Sequence, residues 1–434
     1  MKIVAGRWSN WSGGVTAKPR EIMAPKDEVE LAAAIRRAPG PVRVPGTGRS
    51  CTPLNVTDGT MIDLAAFTGV RGIDPDRQVA TIGAATPIWD IGPALYSLGF
   101  GFKNQGDVDR QTLGGVVSTG THGTGPTLGS FSAEVGGFRL MLASGEVIDC
   151  TPIENDTIYE AGRLSLGLLG VLTEISMHVR PVYKLVEKNF LMSSREVLQK
   201  LDTLVRSNRH FEFFWFPYAE NVVCKSLNET NEPAPAPSSS EEMFKRGEKR
   251  NSNLQIFGAI NEMLPYAPWL LGSAHRLFSR LMPGPGRARW SHELFPSPRS
   301  IRFNEMEYAI PYERAKDCLC EVVELIRKRR LNTGFPLEFR TVAADDVWLS
   351  PFYKRASATI AVHQYHRMDM TKLFDACEAI FRRYEGRPHW GKRHTRSARE
   401  FEALYPKYGD FLALRRRLDP QNRFLNSYLR DIFP

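Results

Sequence analysis

Residues 43–54 read RVPGTGRSCTPL, a β-branched, proline-containing run that ends in Gly-Thr-Gly followed by an arginine. Glycine permits positive φ and close approach of the backbone, so successive N–H groups can point at one anion. A second stretch, QTLGGVVSTGTHGTG at 111–125, repeats the combination of glycines and small hydroxyl side chains. Two such loops in one domain, separated by strands, predict a long phosphate-bearing ligand that is bound at both ends.

Both loops differ from the two common nucleotide-binding signatures. Neither is a G-x-G-x-x-G that follows a strand and opens a helix, and the sequence has no G-x-x-x-x-G-K-[ST] of the P-loop type. The glycines of the two loops are instead interspersed with threonine and serine. The sequence therefore argues against a Rossmann enzyme and against a P-loop enzyme.

The chain length and composition indicate the broad class of protein. The 434 residues exceed what one ordinary core needs, which predicts two domains. A content of 42% hydrophobic and 24% charged residues is typical of a soluble globular protein, and the first residues lack the apolar run of a signal peptide. Six cysteines are scattered without metal-ligand or redox spacing. We therefore expect a cytoplasmic protein with no structural metal.

The formal net charge of +9 raises the question of an anionic partner. Such a charge attracts nucleic acids and anionic membranes, but the basic residues cluster in helical runs such as IRKRR at 326–330. We interpret them as solvated helix faces together with an anionic ligand. The most apolar stretch, 263–282, is interrupted by prolines and arginines, which excludes a spanning helix. We expect it to pack on the protein, the alternative being a helix resting on a membrane surface.

The first 180 residues alternate short strands with helices. Asp27 begins a helix, and Thr86 with Pro87 has the pattern of an N-cap followed by a first-turn proline. The segment FRLMLASGEVIDC predicts a hairpin that turns at Ser144 and Gly145. We assign residues 1–184 to a first domain.

From about residue 185 the pattern changes to strand, helix, strand, strand and then strand, helix, strand, strand, helix. This order predicts one antiparallel sheet with helices on a single face, over 185–390. Residues 229–253, rich in Pro, Ser, Glu and Lys, have the composition of an exposed, mobile loop. The tail 391–434 is expected to return to the first domain.

The strands of the second domain carry polar residues among apolar ones. Glu338 and Arg340, in PLEFRTV, lie two residues apart and share one face of a strand. Buried carboxylates and guanidiniums are rare unless paired or used, so these two are either catalytic or a cross-strand ion pair. His363 and Tyr365 share a face of TIAVHQY in the same way. A histidine is a candidate base because its ordinary pKa is near neutrality, the alternative being a buried spectator.

The order of these segments resembles that of the vanillyl-alcohol-oxidase-type flavoproteins, specifically their sugar-lactone branch of arabinono-1,4-lactone, gulonolactone and alditol oxidases. The resemblance covers nearly the whole chain. The segments that carry it are NWSGG, VPGTGRS, DGTMIDL, GDVDRQTLGGVVSTGTHGTG, GLLGVLTEI, LEFR, HWGK and LDPQNRFLNSYL. It implies an α+β fold of two domains, an FAD-binding PCMH-type domain and a substrate (cap) domain.

The resemblance also implies which residues bind FAD. Those that wrap the pyrophosphate are Val44, Pro45, Gly46, Thr47, Gly48, Arg49 and Ser50. Those implied elsewhere along the cofactor are Gly106, Thr112, Gly114, Gly115, Ser118, Thr119, Gly120, His122, Val171, Asn426 and Tyr428. Many relatives have a histidine, covalently bonded to the isoalloxazine, where this chain has Arg49. Arginine cannot form that bond and Cys51 is not at the matching position, so we expect non-covalent FAD.

In the second domain the resemblance implies a catalytic group. Arg340 would stabilise negative charge near the reduced flavin and hold a substrate hydroxyl, with Glu338 orienting it. Lys392, in HWGK, is implied at the N1–C2 carbonyl side of the flavin, where reduction leaves an anion that needs a fixed cation. His363 is the candidate base, and Tyr365, a threonine in alditol oxidases, is implied at the substrate.

The implied function is FAD-dependent oxidation of a CH–OH group in a sugar lactone or polyol, by hydride transfer to flavin N5. Dioxygen or another electron acceptor would then reoxidise the cofactor. One alternative is oxidation of a lipid-phosphate-linked sugar at a membrane, as in the decaprenylphosphoryl-ribose oxidases. The other is a basic nucleic-acid-binding protein on a decayed oxidase fold, which the retained Glu338, Arg340 and Lys392 argue against.

Overall fold

Over its described residues, the N-terminal part of the chain forms three sheets with short helices. The computed structural model of the protein describes residues 3–4, 6–248, 252–284, 286–297 and 300–434. The strands are β1 (Ile3–Val4), β2 (Arg7–Ser9), β3 (Thr16–Ala17), β4 (Glu21–Met23), β5 (Val42–Arg43), β6 (Thr60–Ile62), β7 (Val70–Asp74), β8 (Val79–Gly83), β9 (Phe100–Phe102), β10 (Val135–Met141), β11 (Val147–Cys150) and β12 (Val171–Pro181). The helices are α1 (Glu28–Arg37), α2 (Ile88–Ser97), α3 (Leu113–Thr119) and α4 (Asp156–Gly162).

A small parallel sheet positions the first glycine loop. Its strand order is β4-β6-β5, and α1 supplies the crossover that connects β4 to β5. Leu31 and Ile35 of α1 are fully buried against Val42 and Ile62 of this sheet. The loop that begins at Val44 therefore leaves the carboxyl end of a short buried strand. A larger antiparallel sheet, ordered β11-β10-β12-β8-β7 with β9 beside β12, lies next to it.

Most local predictions for this part agree with the structure. The Asp27 side chain accepts the N–H of Glu30 and caps α1, and the hairpin between β10 and β11 turns at Gly145, where φ is +81°. The prediction at 86–87 is wrong by one residue, because Pro87 is the N-cap of α2. The Thr86 hydroxyl instead donates to the carbonyl of Gly83 at 2.6 Å and accepts the N–H of Gly69.

The following part of the chain builds one long antiparallel sheet. Its strands are β13 (Lys184–Ser193), β14 (His210–Trp215), β15 (Asn221–Glu229), β16 (Ala288–Trp290), β17 (Phe303–Pro311), β18 (Leu337–Val342), β19 (Ser357–Tyr365) and β20 (Arg387–Pro388). Its helices are α5 (Ser194–Arg206), α6 (Ser240–Glu248), α7 (Ser252–Met263), α8 (Leu271–Leu281), α9 (Ser291–Leu294), α10 (Tyr312–Arg329) and α11 (Thr371–Arg383). The strand order is β16-β13-β15-β14-β18-β19-β17-β20.

The two faces of this sheet differ in chemistry because successive side chains alternate. One face, with residues such as Phe213 and Phe339, packs on α5, α10 and α11 in a wholly apolar core. The opposite face carries buried polar side chains. They are Glu212, Lys225, Glu305, Glu307, Glu338, Arg340 and His363. The predicted antiparallel sheet with helices on one face is confirmed. The polar side chains lie on the face opposite to these helices, where they can contribute to a site.

Part of the segment predicted as a mobile loop, 229–253, is helical. Ser239 and Glu242 form a capping box at the start of α6, with the Ser239 N–H donating to the Glu242 carboxylate at 2.8 Å and the Glu242 N–H to the Ser239 hydroxyl at 3.3 Å. Met243 is buried at 2% exposure. The run SSSEEM contains this S-x-x-E signal, which the composition of the segment obscured. Residues 249–251 lie outside the described residues.

The apolar stretch 263–282 contains the end of α7, a connecting turn and α8. Leu271, Ala274 and Phe278 of α8 are buried against Phe216 and Leu264. This face packs on the protein, as expected. In the part of the chain that the structure describes, no helix is both long enough and apolar enough to cross a membrane.

The C-terminal residues pack on the N-terminal part of the chain. The helices here are α12 (Ala398–Leu404), α13 (Tyr408–Leu418) and α14 (Ser427–Ile432). Phe411 and Phe433 share a core cluster with Ile91 of α2, and the Asn426 amide donates to the carbonyls at 53, 54 and 56. These contacts are those expected of the predicted tail, while the predicted domain boundaries at 184 and 390 stay predictions.

Buried neutral histidines make the fold sensitive to acid. Desolvation lowers the pKa of His210 to about 3 and those of His275, His292, His389 and His394 to about 4. His275 shows why, since its Nδ1 accepts the N–H of Tyr218 at 3.2 Å and its Nε2 faces the carbonyl of Thr333 at 2.8 Å. A proton on Nδ1 would break the first bond.

The free energy of unfolding is therefore expected to fall as pH drops from about 6.5 towards 4. Folded pKa values below the unfolded value of about 6.5 mean that the unfolded chain binds more protons in this window. Each histidine contributes up to about 1.4 kcal/mol per pH unit, partly opposed by Asp345, whose pKa burial raises to about 6. Urea unfolding at a series of pH values measures the slope. His275→Gln should make it shallower by about one proton, and an unchanged slope would contradict the assignment.

Candidate active site

Both glycine-rich loops line one elongated cleft of about 340 Å³. A cleft of this size is in the range of small-molecule and cofactor sites. Thirteen residues predicted to bind FAD are in its wall. They are Val44, Pro45, Gly46, Thr47, Gly48, Arg49, Ser50, Thr112, Gly114, Gly115, Ser118, Thr119 and Val171. The two loops, more than sixty residues apart in sequence, thus form opposite sides of a single binding site.

The loops approach each other so closely that only glycine fits at their contact. A Cβ added to Gly46 would lie 2.5 Å from the Thr112 hydroxyl oxygen, well inside van der Waals contact. Gly48 has a φ of +73°, and a Cβ there would lie 3.2 Å from the Trp8 ring. The glycines therefore keep a narrow backbone cradle open, as a diphosphate group requires.

A buried arginine behind the first loop gives the cleft a positive charge. Arg43 is 4% exposed, and its guanidinium donates to the carbonyls of Leu166 and Phe424 at 2.7 Å each. Among the described residues no carboxylate lies within ion-pair distance of it, and its Nε has no hydrogen-bond partner. Burial lowers the pKa of Arg43 to about 10, so it stays charged at neutral pH. A cofactor with a diphosphate fits this cleft because it would balance that charge.

Five residues that the resemblance implied along FAD lie outside this wall: Gly106, Gly120, His122, Asn426 and Tyr428. The buried His122 has Nδ1 at 2.8 Å from the Gly123 carbonyl and Nε2 at 2.8 Å from the Glu307 carboxylate. Gly120 ends α3 with a φ of +70°, and Tyr428 lies 3.0 Å from the His394 ring. Asn426 caps α14. None of the five is therefore in the wall of the cleft, and His122, Asn426 and Tyr428 hydrogen-bond to other parts of the protein.

A second cavity of about 50 Å³ adjoins the cleft and extends it under the polar face of the long sheet. The two cavities share Arg49, Ser50, Gln111 and Thr119. The further residues of the small cavity are Trp11, Cys51, Val108, Phe303, Glu305, His389, Gly391 and Lys392. The small cavity therefore joins groups from both halves of the chain at one end of the cleft.

An ion pair between the partly buried Lys392 and the buried Glu305 lies in the wall of the small cavity. The Lys392 ammonium contacts the Glu305 carboxylate, whose other oxygen lies 3.5 Å from His363 Nε2. Burial disfavours the charged form of both groups, but the attraction between the two opposite charges is the larger effect. The pKa of Glu305 therefore lies well below its ordinary value, and the pKa of Lys392 is raised. Lys392 is therefore a fixed cation. His363 is not in the wall of the small cavity: its Nδ1 donates to the Pro336 carbonyl at 3.2 Å, and its Nε2 faces Glu305.

Arg340 and Glu338 contact each other, but Arg340 is also held by other carboxylates. Its guanidinium lies 2.5 Å from Glu338, 2.7 Å from Glu212 and 3.2 Å from Asp107. Lys225 lies 3.2 Å from Glu212 in the same group. Burial opposes the charge on Arg340, yet these carboxylates raise its pKa well above the ordinary value. The structure thus places Arg340 in a buried charge network next to the small cavity, not in its wall.

Tyr365 does not reach the small cavity. Its hydroxyl donates to Glu262 of α7, and its ring belongs to an apolar cluster with Phe303 and Phe335. Phe303 does line the cavity, and its ring lies 5.2 Å from that of Trp11. Trp11 in turn lies under the Arg49 guanidinium at 4.7 Å. An aromatic wall formed by Trp11 and Phe303 therefore takes the place that the sequence suggested for Tyr365.

Sequence reasoning missed Arg43, Glu212, Glu305 and Trp11. Glu305 alternates with apolar residues in FNEMEYAI, the same signal that singled out Glu338 and Arg340. Glu212 alternates with phenylalanines in FEFFWF. Period-two patterning was therefore available for both carboxylates. Arg43 and Trp11 gave no such signal, because their roles depend on neighbours distant in sequence.

Among the residues that the structure describes, three groups of His and carboxylate side chains bring their ligand atoms within 4.8 Å of one another. One combines His122, Glu307 and His389, and the other two share Glu338. The groups that contain Glu338 already contact the positive charges of Arg340 and Lys392. The prediction that the protein has no metal stays a prediction.

Comparison with known proteins identifies the family. A family model described as D-arabinono-1,4-lactone oxidase matches residues 175–432, and one for an FAD binding domain matches 19–151. L-gulono-1,4-lactone dehydrogenase of Mycobacterium tuberculosis is 38% identical over 430 residues, 98% of each chain. L-gulonolactone oxidase of Mus musculus is 31% identical, again over 98% of each chain. These matches run through both halves of the chain and do not favour the nucleic-acid-binding or lipid-linked-sugar alternatives.

The fold has a close counterpart among solved structures. Cholesterol oxidase of Brevibacterium sterolicum superposes with a TM-score of 0.83, over 99% of this chain and 97% of its own, at 16% sequence identity. This likeness shows the two-domain α+β fold alone. Together with the sequence matches, it confirms the predicted architecture and the resemblance to the sugar-lactone branch. The chain therefore belongs to the D-arabinono-1,4-lactone oxidase family of FAD-dependent oxidoreductases.

Proposed function

We propose that this protein oxidises a CH–OH group of a sugar lactone or short polyol, with non-covalent FAD in the glycine-lined cleft. One observation carries the proposal: the cleft adjoins a small cavity whose wall combines the partly buried cation Lys392 with residues of both glycine loops. The relatives, which include an alditol oxidase at 27% identity over 98% of each chain, support this substrate class. The reduced enzyme would pass its electrons to dioxygen or another acceptor.

The cofactor would be held by the backbone and by charge. The loop Val44–Ser50 and the residues 112–119 would enclose it, and Arg43 would balance the diphosphate. FAD, when bound, supplies an acceptor for the hydride that leaves the substrate carbon. Arg49 offers no nucleophile for a covalent bond. Burial raises the pKa of the Cys51 thiol, which keeps this cysteine protonated and unreactive.

Three side chains would act on the reacting alcohol. Lys392 would place a positive charge where negative charge develops, in a site that largely excludes water. His363 is not in the cavity wall, so it would take up the hydroxyl proton at Nε2 through Glu305, which lies 3.5 Å from it and does line the cavity; its Nδ1 is occupied by the bond to the Pro336 carbonyl. Glu305, between them, would stabilise the resulting imidazolium and orient the Lys392 ammonium. The C–H bond gives up a hydride, the O–H bond gives up a proton, and a carbonyl product remains.

The chemistry of the small cavity indicates the class of substrate. Glu305, Lys392 and His389 in its wall offer hydrogen-bonding groups to a polyhydroxylated molecule. Trp11 and Phe303 offer flat apolar surfaces for the C–H face of a sugar ring. A sterol, with a much larger apolar skeleton, does not match this cavity despite the shared fold.

An anaerobic titration tests the proposal. Purified protein is mixed with a panel of aldonolactones and alditols without oxygen, and the visible flavin absorbance is followed. Bleaching by a lactone or polyol supports the proposed reaction, and recolouring on admission of air identifies dioxygen as an acceptor. Protein that carries FAD but is not bleached by any member of the panel would contradict the proposed substrate class.

Denaturation tests the mode of FAD attachment. Acid precipitation is expected to release all yellow colour into the supernatant, because neither Arg49 nor the buried Cys51 can hold the isoalloxazine covalently. Absorbance of the supernatant and fluorescence of the washed pellet measure the two fractions. Arg49→Lys, which retains the positive charge, serves as a control and should release its colour in the same way. Colour that stays with the wild-type pellet would overturn the non-covalent assignment.

A further inference from the structure

We propose that the hairpin of α7 and α8 docks the protein on an anionic membrane surface. Its tip exposes four large apolar side chains among the eight residues 263–270: Met263, Tyr266, Trp269 and Leu270. Tyr266 is 84% exposed and Trp269 is 77% exposed. Single exposed apolar residues are ordinary, but a contiguous group of this kind marks an interaction surface.

The protein holds this tip in an outward position. Leu264, at 1% exposure, and Leu271, at 5%, anchor the two ends of the turn beside Phe278 in a buried cluster. Because both ends of the turn are fixed in this way, the Tyr266 and Trp269 rings between them point away from the buried cluster. Tyrosine and tryptophan are the side chains that favour the boundary between lipid and water, since each combines an apolar ring with a polar atom.

The charge around the tip indicates which surface it fits. Arg276 and Arg280 are exposed on α8 and lie one helical turn apart, on the same face. The single carboxylate within 252–284, Glu262, is neutralised by the Arg367 guanidinium at 2.8 Å and by the Tyr365 hydroxyl. An aromatic tip, followed along α8 by two exposed arginines and with Glu262 as the one paired carboxylate of 252–284, is complementary to anionic lipid headgroups. A second copy of this chain would instead bring like charges together.

Docking through this hairpin would also bring the reaction site close to the membrane, because the hairpin packs next to the small cavity. The Phe257 ring of α7 lies 5.0 Å from that of Phe335, which lies 5.3 Å from that of Phe303 in the wall of the small cavity. The docking hairpin and the reaction site are thus connected by direct packing. Membrane binding would hold the small cavity next to lipid, where a lipid-soluble electron acceptor would be concentrated.

Vesicle sedimentation tests the proposal with FAD-loaded protein. The wild type is expected to pellet with vesicles of equal phosphatidylcholine and phosphatidylglycerol, and much less with phosphatidylcholine alone. Tyr266→Ser/Trp269→Ser should weaken binding about ten-fold or more, because two apolar contacts are lost. Ile153→Ser is the matched control, since Ile153 is 95% exposed but lies in the first part of the chain. Activity with a soluble acceptor should be unchanged in both variants.

Charge is tested separately. Arg276→Gln/Arg280→Gln should bind the mixed vesicles weakly, and high salt should have the same effect on the wild type because it screens charge. A wild type that does not pellet with either vesicle type would overturn the proposal. A Tyr266→Ser/Trp269→Ser variant that binds the mixed vesicles as well as the wild type would overturn it too. Sedimentation equilibrium tests whether the tip instead binds a second copy of the chain. A wild-type dimer that Trp269→Ser converts to a monomer would show that the surface is a dimer interface and would overturn the membrane proposal.

Discussion

Lys392→Met is expected to lower kcat/KM for the lactone substrate by about 100- to 1,000-fold, the usual effect of removing a preorganised charge from a reaction site. Methionine keeps the length and apolar volume of the side chain but removes the ammonium group. Glu305 then loses its main partner, so the buried carboxylate adds negative charge where the reaction already develops it. Most of the loss should appear in kcat, because the charge interacts more strongly with the transition state than with the bound substrate.

Steady-state kinetics at several lactone concentrations separates kcat from KM. The flavin content, from the ratio of visible to protein absorbance, must be measured for each variant. Lys407→Met is the control, because Lys407 pairs with Asp410 on the exposed side of α13. An FAD-loaded Lys392→Met enzyme with the wild-type kcat/KM would show that Lys392 does not act on the reaction.

Gly46→Ala is expected to weaken FAD binding about ten-fold or more, since forcing a methyl group into a close-packed site costs on the order of 1–3 kcal/mol. The new Cβ would lie 2.5 Å from the Thr112 hydroxyl oxygen, and relief would require the Thr112 side chain to rotate out of its place or the two glycine loops to separate. The cradle between them would widen at the point where the backbone should approach the diphosphate. Titration of the apoprotein with FAD, followed by flavin fluorescence, measures the affinity.

A double variant distinguishes this contact from general damage to the fold. In Thr112→Ala the hydroxyl is absent, and the nearest remaining atom of residue 112, its Cβ, lies at an ordinary 3.7 Å from the added methyl group. Gly46→Ala/Thr112→Ala should therefore bind FAD nearly as well as Thr112→Ala alone. Gly72→Ala is the matched control for an added methyl group, because no heavy atom lies within 4 Å of a Cβ at that position. Equal losses in the double and single variants would contradict the proposed contact.

Local patterning predicted much of the second half of the chain. Alternation along the strands placed Glu338 and Arg340 on one face, and the order of strands and helices predicted the antiparallel sheet. The same alternation was present at Glu305 and Glu212. The reason is that a strand imposes a period of two residues, so the buried polar positions of a sheet can be read without knowledge of its partners.

Long-range contacts were beyond this kind of reasoning. The sequence implied Arg340 as a group that holds substrate, while the structure surrounds it with Glu338, Glu212 and Asp107 from three separate segments. The sequence implied His122 along the cofactor, while the structure leaves it out of the cleft wall and bonds its ring to Glu307, 185 residues away. Hydrogen bonds between distant segments depend on the packing of domains, which leaves no periodic signal in either segment.

By itself, the sequence determined the family, the two glycine loops and the alternating polar face of the sheet, because each of these depends on residues close together along the chain. Only the tertiary structure decided that Arg43 supports the cleft, that Glu305 pairs with Lys392, and that Trp11 and Phe303 form the aromatic wall. Each of these contacts joins segments that meet only when the tail and the long sheet close over the N-terminal part. The physical reason is that a buried charge or ring acquires its role from the partners that packing supplies.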